Sequence, residues 1–233
     1  MRWRIESKRA EWLLAGALVA LAMLARLVPG QRIVDDAYIT FRYARNIADG
    51  HGFVYNPGQP VLGTTTPLYT LVLAGLAAVT GSRDFPTLAV LVNALAGGAS
   101  VGLLFALSRR VIDHWAPAAA TAVLWAVAPY SVTFAVGGME TDLTIALLLA
   151  ASYAHVTDRS LAMAILSALA LLARPDTAIL LGPLWLAHAL EVPEDVVCGQ
   201  VGGAHHRHLH DQTPRHRLQR RLQLCRLPAD LFK

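Results

Sequence analysis

Two adjacent carboxylates, Asp35 and Asp36, lie in a polar, turn-rich segment at residues 33–69 between apolar stretches. Neighbouring carboxylates in a cavity suit general-base chemistry, because one can accept a proton from a hydroxyl group while the other orients that group or binds a metal. A structural interpretation is equally open, since acidic side chains also stabilise the N-terminus of a helix. We expect the chemistry of this chain at this pair.

A short helix is predicted at the acidic pair. Residues 35–49 contain no Gly or Pro, and a Gly-His-Gly sequence at 50–52 follows them as a helix end. Tyr38, Arg42 and Arg45 fall on one face of this helix. On a membrane surface the two arginines can contact phosphate groups, although a face that merely extends its charges toward water has the same pattern.

The surrounding chain is apolar enough for an integral membrane protein. Hydrophobic residues make up 55% of the 233 residues, charged residues 15%, and the mean hydropathy is +0.45. A soluble domain of this size could not bury that much apolar surface. We therefore predict an all-α, polytopic bundle of transmembrane helices. The apolar stretches cover residues 12–28, 67–80, 87–108, 116–138, 143–156, 160–173 and 177–190.

Basic residues predict the orientation of the bundle. The residues before the first apolar stretch indicate a cytoplasmic N-terminus and put the loop at 29–66 outside the cytoplasm. Arg26, near the end of that stretch, is expected to extend its side chain to the membrane interface. If residues 67–80, which begin at a proline, make no full crossing, Glu140 and residues 174–176 share the outer side with this loop. The basic residues are Arg2, Arg4, Lys8 and Arg9.

Four further polar residues are candidates for substrate contact. Glu140 lies at the end of a predicted span, where helix capping and substrate binding both fit. Arg174 lies at a break between spans, where an arginine must face a cavity, water or a partner, and Asp176 follows two residues later. His51 is a candidate acceptor contact, and a turn histidine exposed to water is the competing interpretation.

The sequence at residues 35–58, DDAYITFRYARNIADGHGFVYNPG, resembles the first external loop of GT-C glycosyltransferases. It is most similar to those resembling bacterial cell-wall arabinofuranosyltransferases. The sequences GMET at 138–141 and RPD at 174–176 are similar to recurrent elements of that family in the same order. The resemblance covers residues 12–185. It implies a GT-C-type transmembrane domain at 1–190, with a large first external loop at 29–66 that contains a short interfacial helix.

The resemblance implies an inverting transferase that moves a sugar from a polyprenyl-phosphate donor to a cell-envelope glycan, lipid or protein acceptor. Asp35 would deprotonate the acceptor hydroxyl, and Asp36 would position it. Arg42, Arg45 or Arg174 would bind the departing phosphate. No cofactor is required in principle, although Mg²⁺ or Mn²⁺ could bind the acidic pair. The remaining predicted substrate contacts are Tyr38, His51, Glu140 and Asp176. The reaction would occur at the outer face of the cell membrane.

The composition changes after residue 190. Residues 191–233 are basic and carry five closely spaced histidines, at 205, 206, 208, 210 and 216, without the spacing of a closed metal site. We expect this tail to be disordered or out of frame, as a frameshift in a GC-rich gene would produce. The chain would then be an N-terminal fragment, and a catalytic cavity that lacks some of its walls could be inactive.

The competing functional class is a membrane protein without catalysis, such as a transporter or a lipid-binding subunit. It predicts carboxylates within the spans and inverted repeats, whereas the leading pair lies in a loop and the sequence shows no internal repeat. Nucleic-acid binding is the weakest option and is not expected, because the net charge of +4 is concentrated at the two ends of an apolar chain. The expected partners are the lipid-linked sugar, the acceptor and membrane lipid.

Overall fold

A computed structural model describes residues 8–59, 61, 63–112 and 114–199, with side chains up to residue 190. Helices joined by turns and loops make up these ranges, and no strand forms in them, which confirms the predicted all-α class. The helices are α1 (Lys8–Leu27), α2 (Ala37–Ala48), α3 (Pro67–Thr80), α4 (Phe85–Val111), α5 (Trp115–Ala126), α6 (Pro129–Val136), α7 (Thr141–Val156), α8 (Ser160–Ala173) and α9 (Ala178–Gly199), with a 3₁₀ turn at Pro175–Thr177.

Two of the described helices, α1 and α4, are long and apolar enough to cross a membrane. α1 has 20 residues and α4 has 27, and a span requires about 20. The predicted stretch at 116–138 is broken, because Pro129 begins α6 and a proline there cannot continue the hydrogen bonding of α5. α5 and α6 meet at a bend of 43° and make a third span if they cross together. α3, α7 and α8 are apolar but shorter.

α1 and α4 pack antiparallel through small residues of α4. A Cβ atom added at Gly98 or Gly102 would lie 3.2 or 3.3 Å from a methyl group of Val19. Close backbone approach of this kind is how apolar helices associate in lipid, where burial of apolar surface supplies no driving force between them. Near the start of α1, Arg109 Nε donates to Glu11 Oε1 at 2.7 Å. The end of α1 therefore lies near the middle of α4.

Arg26, at the end of α1, is fully buried, which corrects the expectation that it extends to the membrane interface. It is 0% exposed. Its Nε donates to Asp142 and its Nη2 to Ser131 Oγ. Its Nη1 donates to the carbonyls of Ala22 and Ala126, at 2.9 and 3.3 Å. The guanidinium finds these acceptors inside the protein, because residues of α4, α5, α6 and α7 all contact the Arg26 side chain.

α2 confirms the short helix predicted after the acidic pair, and it packs against protein. Ala37, Phe41 and Ala44 are buried against α3 and the first turns of α4. The Phe41 ring stacks on Phe85 with centroids 6.3 Å apart. Tyr38 and Ile39 remain exposed, so the predicted contact of α2 with a membrane surface stays a prediction. The described contacts hold α2 against the hairpin that α3 and α4 form.

The first part of α4 extends beyond the end of α1. Gly97 packs directly against Arg26, so the residues of α4 before Gly97 continue past α1 and pack on α2 and α3. α3 runs antiparallel to this part of α4. Its Tyr69 hydroxyl lies 3.5 Å from Asn93 Oδ1, and a short connection joins its end to Phe85. α3 therefore shares a layer with α2.

The tail predicted at 191–233 falls mostly outside the described residues. The backbone of α9 continues to Gly199, beyond the predicted end of the last apolar stretch at residue 190. Residues 200–233 lie outside the described part of the chain. The expectations of disorder and of an altered reading frame therefore stay predictions.

Candidate active site

Main-chain hydrogen bonds join the first loop to the turn before α7. The Arg32 amide donates to the Val136 carbonyl at 2.9 Å, and the Val34 amide donates to the Gly137 carbonyl at 3.1 Å. These two bonds use carbonyls at the C-terminus of α6, where the last carbonyls of a helix have no partners within it. They bring the start of α2 beside Glu140, about one hundred residues away in the sequence.

Gly138 makes this turn possible. Its φ of +78° lies in the left-handed region that residues with a Cβ rarely adopt. A Cβ at this position would also lie 3.0 Å from the Phe41 ring and 3.1 Å from Ile33 Cδ1. The Gly138 carbonyl accepts a hydrogen bond from the Tyr69 hydroxyl at 3.3 Å. Glycine is required here because both the backbone conformation and the available space exclude a side chain.

A cavity of about 190 Å³ opens where the first loop meets this turn. Asp36 and Glu140 line it together, and we call it the carboxylate cavity. Hydroxyl groups supply much of its remaining polar lining, and the side chains of Thr40 and Thr64 each lie within hydrogen-bonding distance of Thr66. The other lining residues are Ile39, Thr40, Gly63, Thr64, Thr65, Thr66 and Met139. Two carboxylates and several hydroxyls thus face one space.

Asp36 lies at the N-cap of α2, and its side chain makes no capping hydrogen bond. The interpretation of Asp36 as only a helix cap therefore lacks the bond that would identify it. Asp35 is exposed and is not among the residues that line the carboxylate cavity. The two neighbouring acids thus differ in their environment, because successive residues at a helix start point in different directions.

Glu140 is 4% exposed and forms an ion pair with Arg174, which lies at the break between α8 and α9. Arg174 Nη1 donates to Glu140 Oε1 at 3.0 Å. Its Nε and Nη2 donate to the two carboxylate oxygens of Asp176 at 3.0 and 2.7 Å, a bidentate pair. The hydrogen bonds from Arg174 lower the pKa of Asp176, and the same contact raises the pKa of Arg174. Three of the predicted residues therefore form one network.

Arg174 also lines a second cavity, of about 200 Å³, between α7 and the start of α9. We call this cavity the arginine groove. Its apolar wall is formed by Ile145, Leu148 and Leu180. Its polar end carries Thr141, Thr144, Arg174, Asp176 and Thr177. Because Glu140 lines the carboxylate cavity and Arg174 lines this groove, their ion pair lies between the two spaces.

The predicted ligands on α2 and its following turn lie elsewhere. Arg42 Nε donates to the Tyr55 carbonyl at 2.8 Å, its Nη2 donates to Asn56 Oδ1 at 2.9 Å, and its guanidinium covers the Tyr55 ring at 4.7 Å. The Arg45 guanidinium lies 5.7 Å from the Phe85 ring centroid. Arg42 and Arg45 therefore make structural contacts in this state, and their predicted phosphate contacts stay predictions.

Tyr38 and His51 are exposed and are not among the described residues that line the carboxylate cavity or the arginine groove. Tyr38 is 53% exposed, with its ring edge toward Phe41. His51 lies between two glycines with positive φ, Gly50 and Gly52. The structure thus brings together Asp36, Glu140, Arg174 and Asp176, and leaves Asp35, Tyr38, Arg42, Arg45 and His51 outside these two cavities.

A third space, of about 310 Å³, adjoins the carboxylate cavity. We call it the aromatic groove. Ile39 and Gly63 line both spaces. The Tyr43 hydroxyl donates to the Val61 carbonyl at 2.6 Å and accepts from the Gly63 amide at 2.7 Å, which fixes one wall. The other lining residues are Tyr55, Asn56 and Gln59.

Sequence reasoning missed the threonines and the role of Arg26. The Thr-Thr-Thr run at 64–66, before Pro67, was the visible signal for the hydroxyl lining.

In the described part of the chain, no group of three or more His, Cys, Asp or Glu side chains could hold a metal ion. Comparisons with family models, curated proteins and solved structures find no match to this chain. The site is therefore interpreted from its own geometry.

Proposed function

We propose that this chain is a membrane glycosyltransferase that moves a sugar from a polyprenyl-phosphate donor to a hydroxyl group of a cell-envelope acceptor. One observation carries the proposal: the carboxylate cavity and the arginine groove adjoin through the Glu140–Arg174 ion pair. A lipid-linked sugar phosphate needs an apolar channel for its chain, a cation for its phosphate and a carboxylate at the reacting hydroxyl. These three features occur side by side.

The donor lipid phosphate is proposed to bind at the polar end of the arginine groove. The contacts of Arg174 with Glu140 and Asp176 use three N–H donors, and a guanidinium has five. Two donors are thus left, beyond these contacts, for phosphate oxygens. Leu148 and Leu180 supply apolar surface for the first isoprene units. The positive charge of Arg174 would stabilise the phosphate as it leaves.

Asp36 is proposed as the base. Its carboxylate accepts the proton of the acceptor hydroxyl while that oxygen attacks the anomeric carbon from the face opposite the phosphate. The bond between the anomeric carbon and the phosphate oxygen breaks, and the phosphate takes the electron pair, so the anomeric configuration inverts. This assignment moves the base from Asp35, which the resemblance implied, to the acid that lines the cavity. Asp35 would then act through its charge.

A divalent metal is compatible with this site but is not needed for these steps. Mg²⁺ is commonly held by one or two carboxylates together with water and substrate phosphate. Asp36 and Glu140 would be its protein ligands, and the ion would supply further positive charge beside the leaving phosphate. The acceptor is proposed to enter through the aromatic groove, whose wall Arg42 stabilises through Tyr55 and Asn56.

A transfer assay tests the proposal with the protein reconstituted in nanodiscs whose lipids carry no sugar. The protein is supplied with polyprenyl phosphates that carry radiolabelled pentoses or hexoses, together with cell-envelope extract as acceptor. We expect labelled product in the parent and a raised donor KM in Arg174→Gln, because the phosphate loses its cation. A donor KM that is the same in Arg174→Gln and in the parent would contradict the donor site. Absence of transfer with every donor would contradict the function.

A further inference from the structure

A buried ion pair outside the two cavities joins α1 to the first turn of α7. Arg26 and Asp142 are each 0% exposed, and Arg26 Nε donates to Asp142 Oδ2. Ser131 of α6 accepts a hydrogen bond from Arg26 and donates to Asp142 Oδ1 at 3.5 Å. Replacing a buried ion pair with apolar side chains of similar volume is often neutral or stabilising. Stability alone therefore does not explain this pair.

A second buried contact holds the chain on the other side of Glu140. Asn93 of α4 is 0% exposed, and its Nδ2 donates to the Met139 carbonyl at 2.9 Å and to the Ala135 carbonyl at 3.0 Å. Glu140 therefore lies between a residue bound by α4 and, two positions later, Asp142, which α1 binds. Both contacts come from buried side chains with little freedom to move.

We infer that Arg26 is a positioning residue: through Asp142 it fixes the first turn of α7 and so holds the Glu140 carboxylate in the carboxylate cavity. The inference rests on the proposed function of that cavity. The described hydrogen bond of the Glu140 carboxylate is made by Arg174, whose side chain is 40% exposed. A partner so open to solvent holds a carboxylate loosely. The backbone anchors on either side of Glu140 provide the rigidity that a catalytic geometry requires.

The double variant Arg26→Met/Asp142→Leu removes both charges together. A single substitution would leave one buried charge without its partner. The resulting loss of stability could then not be told apart from a displacement of Glu140. The matched control is Glu11→Gln/Arg109→Met, which removes the ion pair between α1 and α4 near the opposite end of α1. Arg26→Lys is the second variant, because it keeps the charge but loses the planar fork of donors.

Hydrogen exchange measured by mass spectrometry in nanodiscs reads local position without requiring turnover. We expect the double variant to fold and to exchange several-fold faster than the parent in peptides covering 32–37 and 139–144. Exchange in a peptide covering 100–107 should stay at the parent rate. Arg26→Lys should show a smaller increase in the same two segments, and the control pair should show none there. In the transfer assay, kcat should fall in the double variant while the donor KM changes little.

Two exchange results in a folded double variant would overturn the inference: parent-like exchange in the 32–37 and 139–144 peptides, or a uniform increase that includes 100–107. A double variant that no longer folds would also overturn it, because the pair would then be a stability element. Failure of the proposed function is distinguishable. A parent protein that transfers no sugar contradicts that function whether or not the exchange result supports Arg26 as a positioning residue.

Discussion

At the residue scale, position relative to a cavity separates side chains that the sequence treats alike. Asp35 and Asp36 are adjacent and chemically identical, yet only Asp36 lines the carboxylate cavity. The sequence predicted the acidic pair and the candidates Glu140, Arg174 and Asp176. It could not predict which acid faces the cavity, because that depends on where α2 begins relative to the turn at Gly138. Arg26 was misjudged for a related reason, since its partner Asp142 is 116 positions away.

Gly97→Ala tests the tight packing around Arg26. A Cβ at this position would overlap the Arg26 side chain, with the Cδ atom 2.7 Å away. That side chain cannot swing aside without breaking its buried hydrogen bonds. We expect a loss of about 1–3 kcal/mol in the free energy of unfolding, a typical cost of overpacking. The measurement is thermal unfolding in nanodiscs.

Gly75→Ala is the matched control for Gly97→Ala, because a Cβ at Gly75 meets nothing within 4 Å. Alanine is the better helix former by about 1 kcal/mol, so this variant should be as stable as the parent or slightly more so. Equal effects of the two substitutions would contradict the packing described around Arg26.

The Arg174–Asp176 pair predicts a pH dependence. Its hydrogen bonds lower the pKa of Asp176 in the folded state, so the stabilisation is complete above the ordinary Asp pKa of about 3.9 and is lost as pH falls through the lowered value. The difference in melting temperature between the parent and Asp176→Asn should be constant from about pH 5 to 8 and should shrink on further acidification. Because the pair is half exposed, the difference will be small. A difference that grows in acid would argue against this pairing.

At the element scale, the hydrophobic pattern predicted the helices but not their breaks or neighbours. Each predicted apolar stretch contains a helix, since long apolar runs favour this conformation. The stretch at 116–138 instead divides into α5 and α6 at Pro129. α2 packs on α3 and α4 through its alanines and Phe41, a contact that the sequence did not predict, and its expected place on a membrane surface stays a prediction. Pattern alone cannot tell a lipid contact from a protein contact.

The turn before α7 gives a prediction for Gly138→Ala. Alanine at this position would have to adopt the left-handed backbone of Gly138, which costs about 1–2 kcal/mol by itself. Its Cβ atom would also lie close to Phe41 and Ile33. We expect the main-chain hydrogen bonds with residues 32–34 to weaken. The sugar-transfer rate should therefore fall by more than the loss of thermal stability alone explains. Parallel assays of sugar transfer and thermal unfolding check this. A variant with full transfer activity would show that this turn does not position Glu140.

At the scale of the whole molecule, the proposed site requires the first loop and the α8–α9 break to lie on one side of the membrane. α3 packs beside α2 and the first turns of α4. Single cysteines at the exposed positions 51 and 175 should react with a membrane-impermeant reagent, and one at position 160 should react only after permeabilisation. Cys198 and Cys225 are first replaced by serine. Reaction at only one of positions 51 and 175 would refute the shared side.

A comparison of the sugar-transfer rates of Asp36→Asn and Asp49→Asn tests whether Asp36 is the general base. Both residues are exposed aspartates at the ends of α2, but Asp36 lines the carboxylate cavity, whereas Asp49 pairs with Arg83 at the surface. General-base catalysis contributes about 10²- to 10⁴-fold, so Asp36→Asn should lose activity by that factor. Asp49→Asn should retain the parent rate. Equal rates in the two variants would contradict the assignment of the carboxylate cavity as the catalytic site.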